Sequence, residues 1–181
     1  VIDARSLVNG VIGLMATGGS TNLMIHILAM ARSVGYLMTL EDIAELSQVT
    51  PLLARIYPNG SADVNQFHAA GGMAFVIREL LSANLLHADA RSVIGEPISA
   101  YAQEPSLAQG HLYWKDAPAE SGDESILRPT DNPFSAQGGL CRLQGNLGEA
   151  VIKISALDES KWRVSAPARV FDSQQAMARA H

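Results

Sequence analysis

A turn-rich stretch in the middle of the 181-residue chain separates two parts with unlike patterns. Four prolines and two glycines fall between residues 104 and 133, and both residue types interrupt helices and strands. Before this stretch, apolar residues recur at helical spacing, whereas after it the apolar runs are short and include β-branched residues. The sequence therefore predicts a helix-rich part, a boundary within residues 104–136, and a strand-rich part.

The overall composition excludes several classes of protein. The chain is 48% hydrophobic and 17% charged, which supplies enough apolar material for a buried core and excludes a fully disordered chain. No run approaches the roughly 18 uncharged apolar residues that a membrane helix needs. The net charge of −5 and the lack of a basic cluster argue against binding to nucleic acid or to an anionic membrane.

The chain contains a single cysteine, Cys141. One thiol forms no internal disulfide, and alone it holds neither an iron–sulfur cluster nor a cysteine-rich zinc site. The first residues lack the basic segment and apolar run of a signal peptide, so we expect a cytoplasmic location. Because the chain begins without Met and stops inside a predicted helix, we also expect it to be a fragment of a longer protein.

The first part shows helical spacing of its apolar residues. Residues 4–16 fit one helix, in which Gly10 and Gly13 predict close packing against another helix. Residues 23–31 are apolar apart from His26, which predicts a helix buried on most of its sides. His26 is then expected to be a hydrogen-bonded core residue.

Two short signals predict where later helices begin. Thr39 with Asp42 resembles a capping box, and Asp63 is placed to cap a short helix that contains Phe67. Between these signals, residues 52–56 fit a short strand that leads into a turn.

The second part carries apolar runs at residues 112–114, 139–143, 150–156 and 162–164, which predict strands. Ser173 is placed to cap a last helix. Short strands separated by turns indicate a β-rich domain of which this chain holds the beginning.

The strongest candidate for a binding site lies between the first two predicted helices, at Gly18, Gly19, Ser20, Thr21 and Asn22. Free backbone N–H groups point out of a helix N-terminus, where the helix dipole favours an anion. Glycines let a ligand approach the backbone, and the hydroxyl and amide side chains add hydrogen-bonding partners. The same residues also suit a plain helix cap, and the sequence leaves both interpretations open.

Other sequence signatures of chemistry are absent or ambiguous. The glycine loop lacks the Gly-Lys-Ser/Thr ending of a Walker loop, and no clear strand precedes it as in a dinucleotide-binding motif. Neither Gly-x-Ser-x-Gly nor His-x-x-x-His occurs. A polar cluster at residues 59–63, with Asn65 and His68, fits either contact with a polyol or a simple turn and helix cap.

Longer segments carry a resemblance to one family. In chain order they are LVNGVIGLMATGGSTNLMIHILAMAR, YPNGSADVNQFHAAGGMAFVIRELL, LLHADARSVIG, ILRPTDNPFSAQGGLCRLQGNLGEAVIKISA and APARVFDSQQAMA. Together they resemble the dihydroxy-acid dehydratase/6-phosphogluconate dehydratase family over essentially the whole chain. The Tyr-Pro-Asn-Gly segment and Gln-Glu-Pro at residues 103–105 resemble the 6-phosphogluconate branch.

The resemblance implies an α/β fold with two domains. Residues 1–104 would form the C-terminal part of a helix-rich α/β N-terminal domain. Residues 105–136 would be a linker, and residues 137–181 would begin a β-barrel-like C-terminal domain.

The resemblance also implies an activity, that of a hydro-lyase of the Entner–Doudoroff pathway. Such an enzyme removes water from 6-phospho-D-gluconate and forms 2-dehydro-3-deoxy-6-phosphogluconate. Family members use an iron–sulfur cluster, of the [4Fe-4S] type in this branch, as a Lewis acid on the leaving hydroxyl, generally with a divalent metal such as Mg²⁺ nearby. A base removes the C2 proton, and family members resemble homodimers.

This chain departs from the family pattern in a way that affects its chemistry. The cysteine motifs expected before the Gly-Gly-Ser-Thr-Asn block and the later Thr-Asp-Gly-Arg-type motif with its catalytic Ser are both missing. We therefore expect no catalytic residue and no metal ligand in this chain, which would be inactive alone, and we place substrate contact at residues 18–22. The alternatives are another sugar-acid or dihydroxy-acid dehydratase of the same family, or a separate small-molecule binding module.

Overall fold

The computed structural model describes residues 2–180, which fold into helices and two small antiparallel sheets. The helices are α1 (Ala4–Ala16), α2 (Thr21–Ser33), α3 (Leu40–Val49), α4 (Val64–Ala69), α5 (Gly72–Ser82) and α6 (Gln174–Ala180). The strands are β1 (Gln103–Ala108), β2 (His111–Asp116), β3 (Leu140–Gly145) and β4 (Gly148–Lys153). The mixed α/β class predicted from the sequence is confirmed.

Helix α1 packs against most of the other helices through two buried apolar clusters. Ile12 and Ala16 join buried residues of α4, α5 and the segments 53–54 and 126–127. Another face of α1 packs with buried residues of α2 and α3 and with Leu140 of β3. The first cluster therefore includes residues of the predicted linker, and the second includes Leu140 from the second part of the chain.

The segment predicted as a strand at residues 52–56 is extended but forms only isolated pairs. Leu52 pairs with Ser135 and Ala54 with Leu127, both in antiparallel sense. On its other edge, the N–H groups of residues 53 and 54 donate to the carbonyl of Ala16, at 2.7 and 3.2 Å. The segment thus joins the end of α1 to the second part of the chain.

The strands form two hairpins, β1–β2 and β3–β4. Strand β1 was not indicated by the turn-rich composition of its region, and this first hairpin lies largely within the predicted linker. The strand predicted at residues 162–164 is wrong, because Trp162 ends a 3₁₀ turn over Glu159–Lys161 and no strand follows it within the described residues. The barrel-like domain and the domain boundaries stay predictions.

Helix α2 is less buried than the sequence predicted. Met24, Ile27 and Ala31 are buried, whereas Ile25 is 58% exposed and His26 is also exposed. The predicted core position of His26 is therefore wrong. An apolar run shows how much apolar surface a helix has, but not how much of that surface is covered. Helix α2 packs mainly against α1 and β4, which cover only one of its sides.

The expectation that Gly10 and Gly13 pack closely against another helix is wrong for Gly13, whereas Gly10 lies in ordinary contact with Ile27 of α2. A Cβ added at Gly13 would meet nothing within 4 Å, and one added at Gly10 would meet only Ile27 Cδ1, at 3.8 Å. Both glycines instead line a cavity of about 450 Å³ between α1 and α5. None of the helices within residues 2–180 has both the length and the apolar content to cross a membrane.

Candidate functional site

The predicted site at residues 18–22 forms the sharp connection between α1 and α2. Gly18 adopts a φ of +58°, which favours glycine, and its N–H donates to the Met15 carbonyl at 3.2 Å. The Gly19 N–H donates to the Leu14 carbonyl at 2.9 Å. The two glycines therefore satisfy the last carbonyls of α1 and turn the chain towards the start of α2.

Ser20 is the N-cap of α2, so the capping interpretation is confirmed. Its Oγ accepts the N–H of Asn22 at 3.2 Å, and its carbonyl accepts the N–H of Leu23 at 3.0 Å. The N–H of Thr21 has no hydrogen-bond partner among residues 2–180. Ser20 and Asn22 are exposed and Thr21 is half-buried. Residues 18–22, at the N-terminus of α2, are called the helix mouth from here on.

Asn59 holds the helix mouth from a separate turn. Its Nδ2 donates to the Gly18 carbonyl at 2.6 Å, and its Oδ1 accepts the hydroxyl of Ser155 at 3.0 Å. A side chain at Gly18 would overlap Asn59 and would lie 3.0 Å from Leu52 Cδ1. Three segments that are distant in sequence therefore meet at the carbonyl of Gly18.

The loop before β3 packs closely against the same place. A Cβ added at the buried Gly139 would lie 2.5 Å from Ser155 Oγ and 3.3 Å from the Cα of Gly18. Next to it, the Gly138 N–H donates to the Ser47 carbonyl, and the Ser47 hydroxyl donates to the Leu140 carbonyl, both at 2.7 Å. These contacts fix the second part of the chain against the helix mouth.

The other polar cluster in the sequence, residues 59–63 with Asn65 and His68, is divided in the structure. Asp63 accepts the Gln66 N–H at 2.8 Å and caps α4, as the cap interpretation predicts. Asn65 and His68 are exposed on α4. Of this cluster, Asn59 is the member that hydrogen-bonds to the helix mouth.

The cavity between α1 and α5 differs from the helix mouth in its chemistry. Its lining is mainly apolar, with polar side chains from Ser6, Asn9, Thr17 and Arg91. Such a lining suits an apolar group, whereas a polyol acid needs many hydrogen-bonding partners. Hydroxyl and amide groups stand instead at residues 20–22, where Ser20 and Asn22 are exposed and Thr21 is half-buried.

The helix mouth carries no ionisable side chain. Residues 18–22, Asn59 and Ser155 are all neutral, and the N-terminus of α2 that they adjoin carries a partial positive charge. Shifted groups lie elsewhere, as in β4, where burial lowers the pKa of Lys153. Its backbone N–H, hydroxyl and amide groups are of the types that hydrogen-bond to anions and polyols, and it holds no group suited to proton transfer.

The described residues do not fit an iron–sulfur cluster or a bound divalent metal. Cys141 lies half-buried in β3, with its Sγ 3.5 Å from the Arg142 carbonyl. Within residues 2–180, no three or more His, Cys, Asp or Glu side chains are grouped to hold a metal ion. A cluster is held by several thiolates, and one thiol does not meet that need.

Comparison with protein families assigns both parts of the chain. The family model for the N-terminal domain of dihydroxy-acid/6-phosphogluconate dehydratases matches residues 1–101. The model for the C-terminal domain of the same enzymes matches residues 125–181. The chain belongs to the dihydroxy-acid/6-phosphogluconate dehydratase family.

Individual relatives give a finer comparison. The phosphogluconate dehydratase of Pseudomonas aeruginosa is 51% identical over 180 residues, and that of Escherichia coli K12 is 47% identical over 174 residues. The dihydroxy-acid dehydratase of Koribacter versatilis is 34% identical over 175 residues. These matches cover 99%, 96% and 97% of this chain, but only 30%, 29% and 28% of the relatives.

Sequence reasoning did not find the contacts that hold the helix mouth. Ser155 and Gly139 reach it from more than a hundred residues away, and no local pattern marks them. The glycine pair at 138–139 was visible, but only the close approach to Gly18 shows why glycine is needed there.

Proposed function

We propose that this chain is one segment of a hydro-lyase that converts 6-phospho-D-gluconate into 2-dehydro-3-deoxy-6-phosphogluconate. The observation that carries the proposal is the 51% identity, over 99% of the chain, to a protein named phosphogluconate dehydratase. The 34% identity to a dihydroxy-acid dehydratase supports the second candidate, a dehydratase of dihydroxy acids.

In this proposal the helix mouth contacts the sugar acid. The free Thr21 N–H and the positive end of α2 suit a carboxylate or another anionic group. The hydroxyls of Ser20 and Thr21 and the amide of Asn22 suit the hydroxyls of the substrate. Gly18 and Gly19 keep side chains away from the backbone, so that the ligand can approach it.

The proposed cofactors are a [4Fe-4S] cluster and a divalent metal such as Mg²⁺, held by residues outside this chain, because the described residues do not fit either group. The complete enzyme is proposed to be a cytoplasmic homodimer. The chain alone, incubated with iron and sulfide, is expected to stay colourless and to leave 6-phosphogluconate unchanged. A brown chain that dehydrates this substrate would contradict the proposal.

The substrate class is tested with the complete enzyme. Its rates with 6-phosphogluconate, gluconate and a branched-chain 2,3-dihydroxy acid are compared by measuring the 2-keto product. We expect the highest kcat/KM with 6-phosphogluconate. A higher kcat/KM with the branched-chain acid would favour the second candidate, and no dehydration of any of the three would reject both.

A further inference from the structure

Two arginines share one aromatic ring at the junction between the two parts of the chain. The Cζ atoms of Arg55 and Arg128 lie 4.5 Å and 4.3 Å from the ring centroid of Phe134. We propose that these two guanidinium groups bind the phosphate of a phosphorylated substrate. Among residues 2–180, Phe134 is the one ring that carries two arginines.

Backbone pairing sets the positions of both arginines. The Arg55 N–H donates to the Ile126 carbonyl and the Arg128 N–H to the Leu53 carbonyl, each at 2.8 Å. Stacking on the ring of Phe134 then restricts the two guanidinium groups. A site ordered before its ligand arrives loses less conformational entropy on binding.

Neither arginine forms an ion pair with a carboxylate within residues 2–180. Arg128 uses its Nε to bond the Glu124 carbonyl at 2.9 Å, and Arg55 is exposed. The nearby Asp123 carboxylate instead accepts the Ser125 hydroxyl and N–H, at 2.6 and 2.8 Å. Two positive charges therefore stand together on a chain whose net charge is −5.

Arg78 shows what a structural arginine of this chain is like. It also lies over a ring, 4.7 Å from the centroid of Phe75. Its guanidinium, however, pairs with Glu79 and donates to the backbone carbonyls of residues 117–119. Arg78 has its partners within the chain, whereas the Arg55–Arg128 pair leaves most of its donors free.

The shared ring limits how far apart the two guanidinium groups lie. The two distances to the shared centroid add to 8.8 Å, so the Cζ atoms are no farther apart than that. A phosphate monoester presents three oxygens and close to two charges, and guanidinium forks bind such oxygens in bidentate fashion. The proposal places one phosphate beside the ring, within reach of both arginines.

The arginine pair and the helix mouth border the same extended segment. Leu52 lies against Gly18, and its carbonyl accepts the Phe134 N–H at 2.9 Å. Arg55 follows three residues later, about 10 Å along an extended chain, and the next turn brings Asn59 back to Gly18. The proposal places the phosphate at the arginine pair and the carboxylate at the helix mouth.

The identity of the anion as a sugar-acid phosphate rests on the proposed function, whereas the anion site itself does not. Inorganic phosphate is therefore the first probe. Its ³¹P NMR signal is measured while this chain is added. We expect Arg55→Gln with Arg128→Gln to weaken phosphate binding at least about tenfold, because each hydrogen bond to a charged group is lost. Arg32→Gln, which removes another exposed arginine, should change the affinity less than about twofold.

A double lysine variant distinguishes phosphate binding by the two arginines from a purely structural role of these residues. Arg55→Lys with Arg128→Lys keeps both charges but loses the bidentate fork, so phosphate binding should be intermediate. This variant also decides the matter if the glutamine pair fails to fold, which circular dichroism would show. The proposal is overturned if wild type binds no phosphate, or if both double variants, while folded, bind it as wild type does.

A second titration separates this inference from the proposed function. Wild type should bind 6-phosphogluconate more tightly than gluconate, and the arginine pair variants should lose that preference. If inorganic phosphate binding depends on the arginines but the complete enzyme prefers a branched-chain dihydroxy acid, the anion site stands and the proposed function fails. If the enzyme dehydrates 6-phosphogluconate but phosphate binding does not depend on the arginines, the proposed function stands and the anion site fails.

Discussion

At the scale of single residues, the helix mouth depends on positions where almost no other side chain fits. Gly18 combines a positive φ with contacts on Asn59 and Leu52. Asn59 uses both ends of its amide, one on Gly18 and one on Ser155. Small changes at Gly18 or Asn59 are therefore expected to disturb the backbone conformation of the helix mouth.

Gly18→Ala should destabilise the chain. A non-glycine residue at a positive φ costs roughly 1–3 kcal/mol, and the added Cβ would also overlap Asn59. Gly13→Ala is the matched control, because a Cβ there meets nothing within 4 Å and alanine favours a helix by about 0.5–1 kcal/mol. Urea unfolding of both variants measures the difference, and equal effects would refute this explanation of Gly18.

Asn59 and Ser155 should be energetically coupled. A double-mutant cycle with Asn59→Ala and Ser155→Ala is expected to give an interaction free energy of about 0.5–3 kcal/mol, as for residues in one hydrogen-bond network. Asn65→Ala, at an exposed position on α4, replaces Asn59→Ala in the control cycle and should show no coupling to Ser155. Additive effects of Asn59 and Ser155 would contradict the hydrogen bond between them.

At the scale of elements, local signals predicted helix starts well and burial poorly. Thr39 with Asp42 forms the predicted capping box, and Asp63 caps α4, because these bonds join residues three apart. The exposure of Ile25 on α2 depends on which distant segments pack against that helix, and β1 depends on its pairing with β2. No periodicity within the sequence contains that information.

The start of α1 should weaken in acid. The Ser6 backbone N–H is the main cause that holds the pKa of Asp3 below its ordinary 3.8. A carboxyl whose pKa is lowered by folding stabilises the fold fully above its unfolded value and loses that effect as pH falls through its folded value. The expected loss therefore lies below pH 3.8, the ordinary value.

Asp3→Asn is the variant that tests this acid sensitivity. Asparagine also caps helices but does not titrate. The Ser6 amide of this variant should therefore stay protected from hydrogen exchange at the acidic pH values at which wild type loses protection. An NMR titration of Asp3 in wild type gives the pKa directly. A value at or above 3.8 would contradict the capping argument.

At the scale of the whole molecule, the two family-matched parts meet at the helix mouth. The resemblance predicted the family and the order of its domains, since those depend on long stretches of sequence. It did not predict that Gly139 and Ser155 of the second part would lie against Gly18 of the first. Such contacts between distant segments follow from the packing of the whole chain.

The chain should self-associate when it is expressed alone. Large apolar side chains are exposed at several places, among them Ile25 at 58%, Leu37 at 86% and Leu147 at 99%. Exposed apolar surface favours association. Sedimentation velocity should show species larger than a monomer, which Ile25→Glu with Leu37→Glu reduces, whereas a monodisperse wild-type monomer would contradict the prediction.

The proposed contact between the helix mouth and the sugar acid is tested most directly by steady-state kinetics of the complete enzyme. Ser20→Ala with Thr21→Ala should lower kcat/KM for 6-phosphogluconate more than about tenfold, or ~1.4 kcal/mol. Ser33→Ala, at the other end of α2, is the control and should leave kcat/KM unchanged. If the double variant folds and its kcat/KM equals that of wild type, the helix mouth does not contact the substrate.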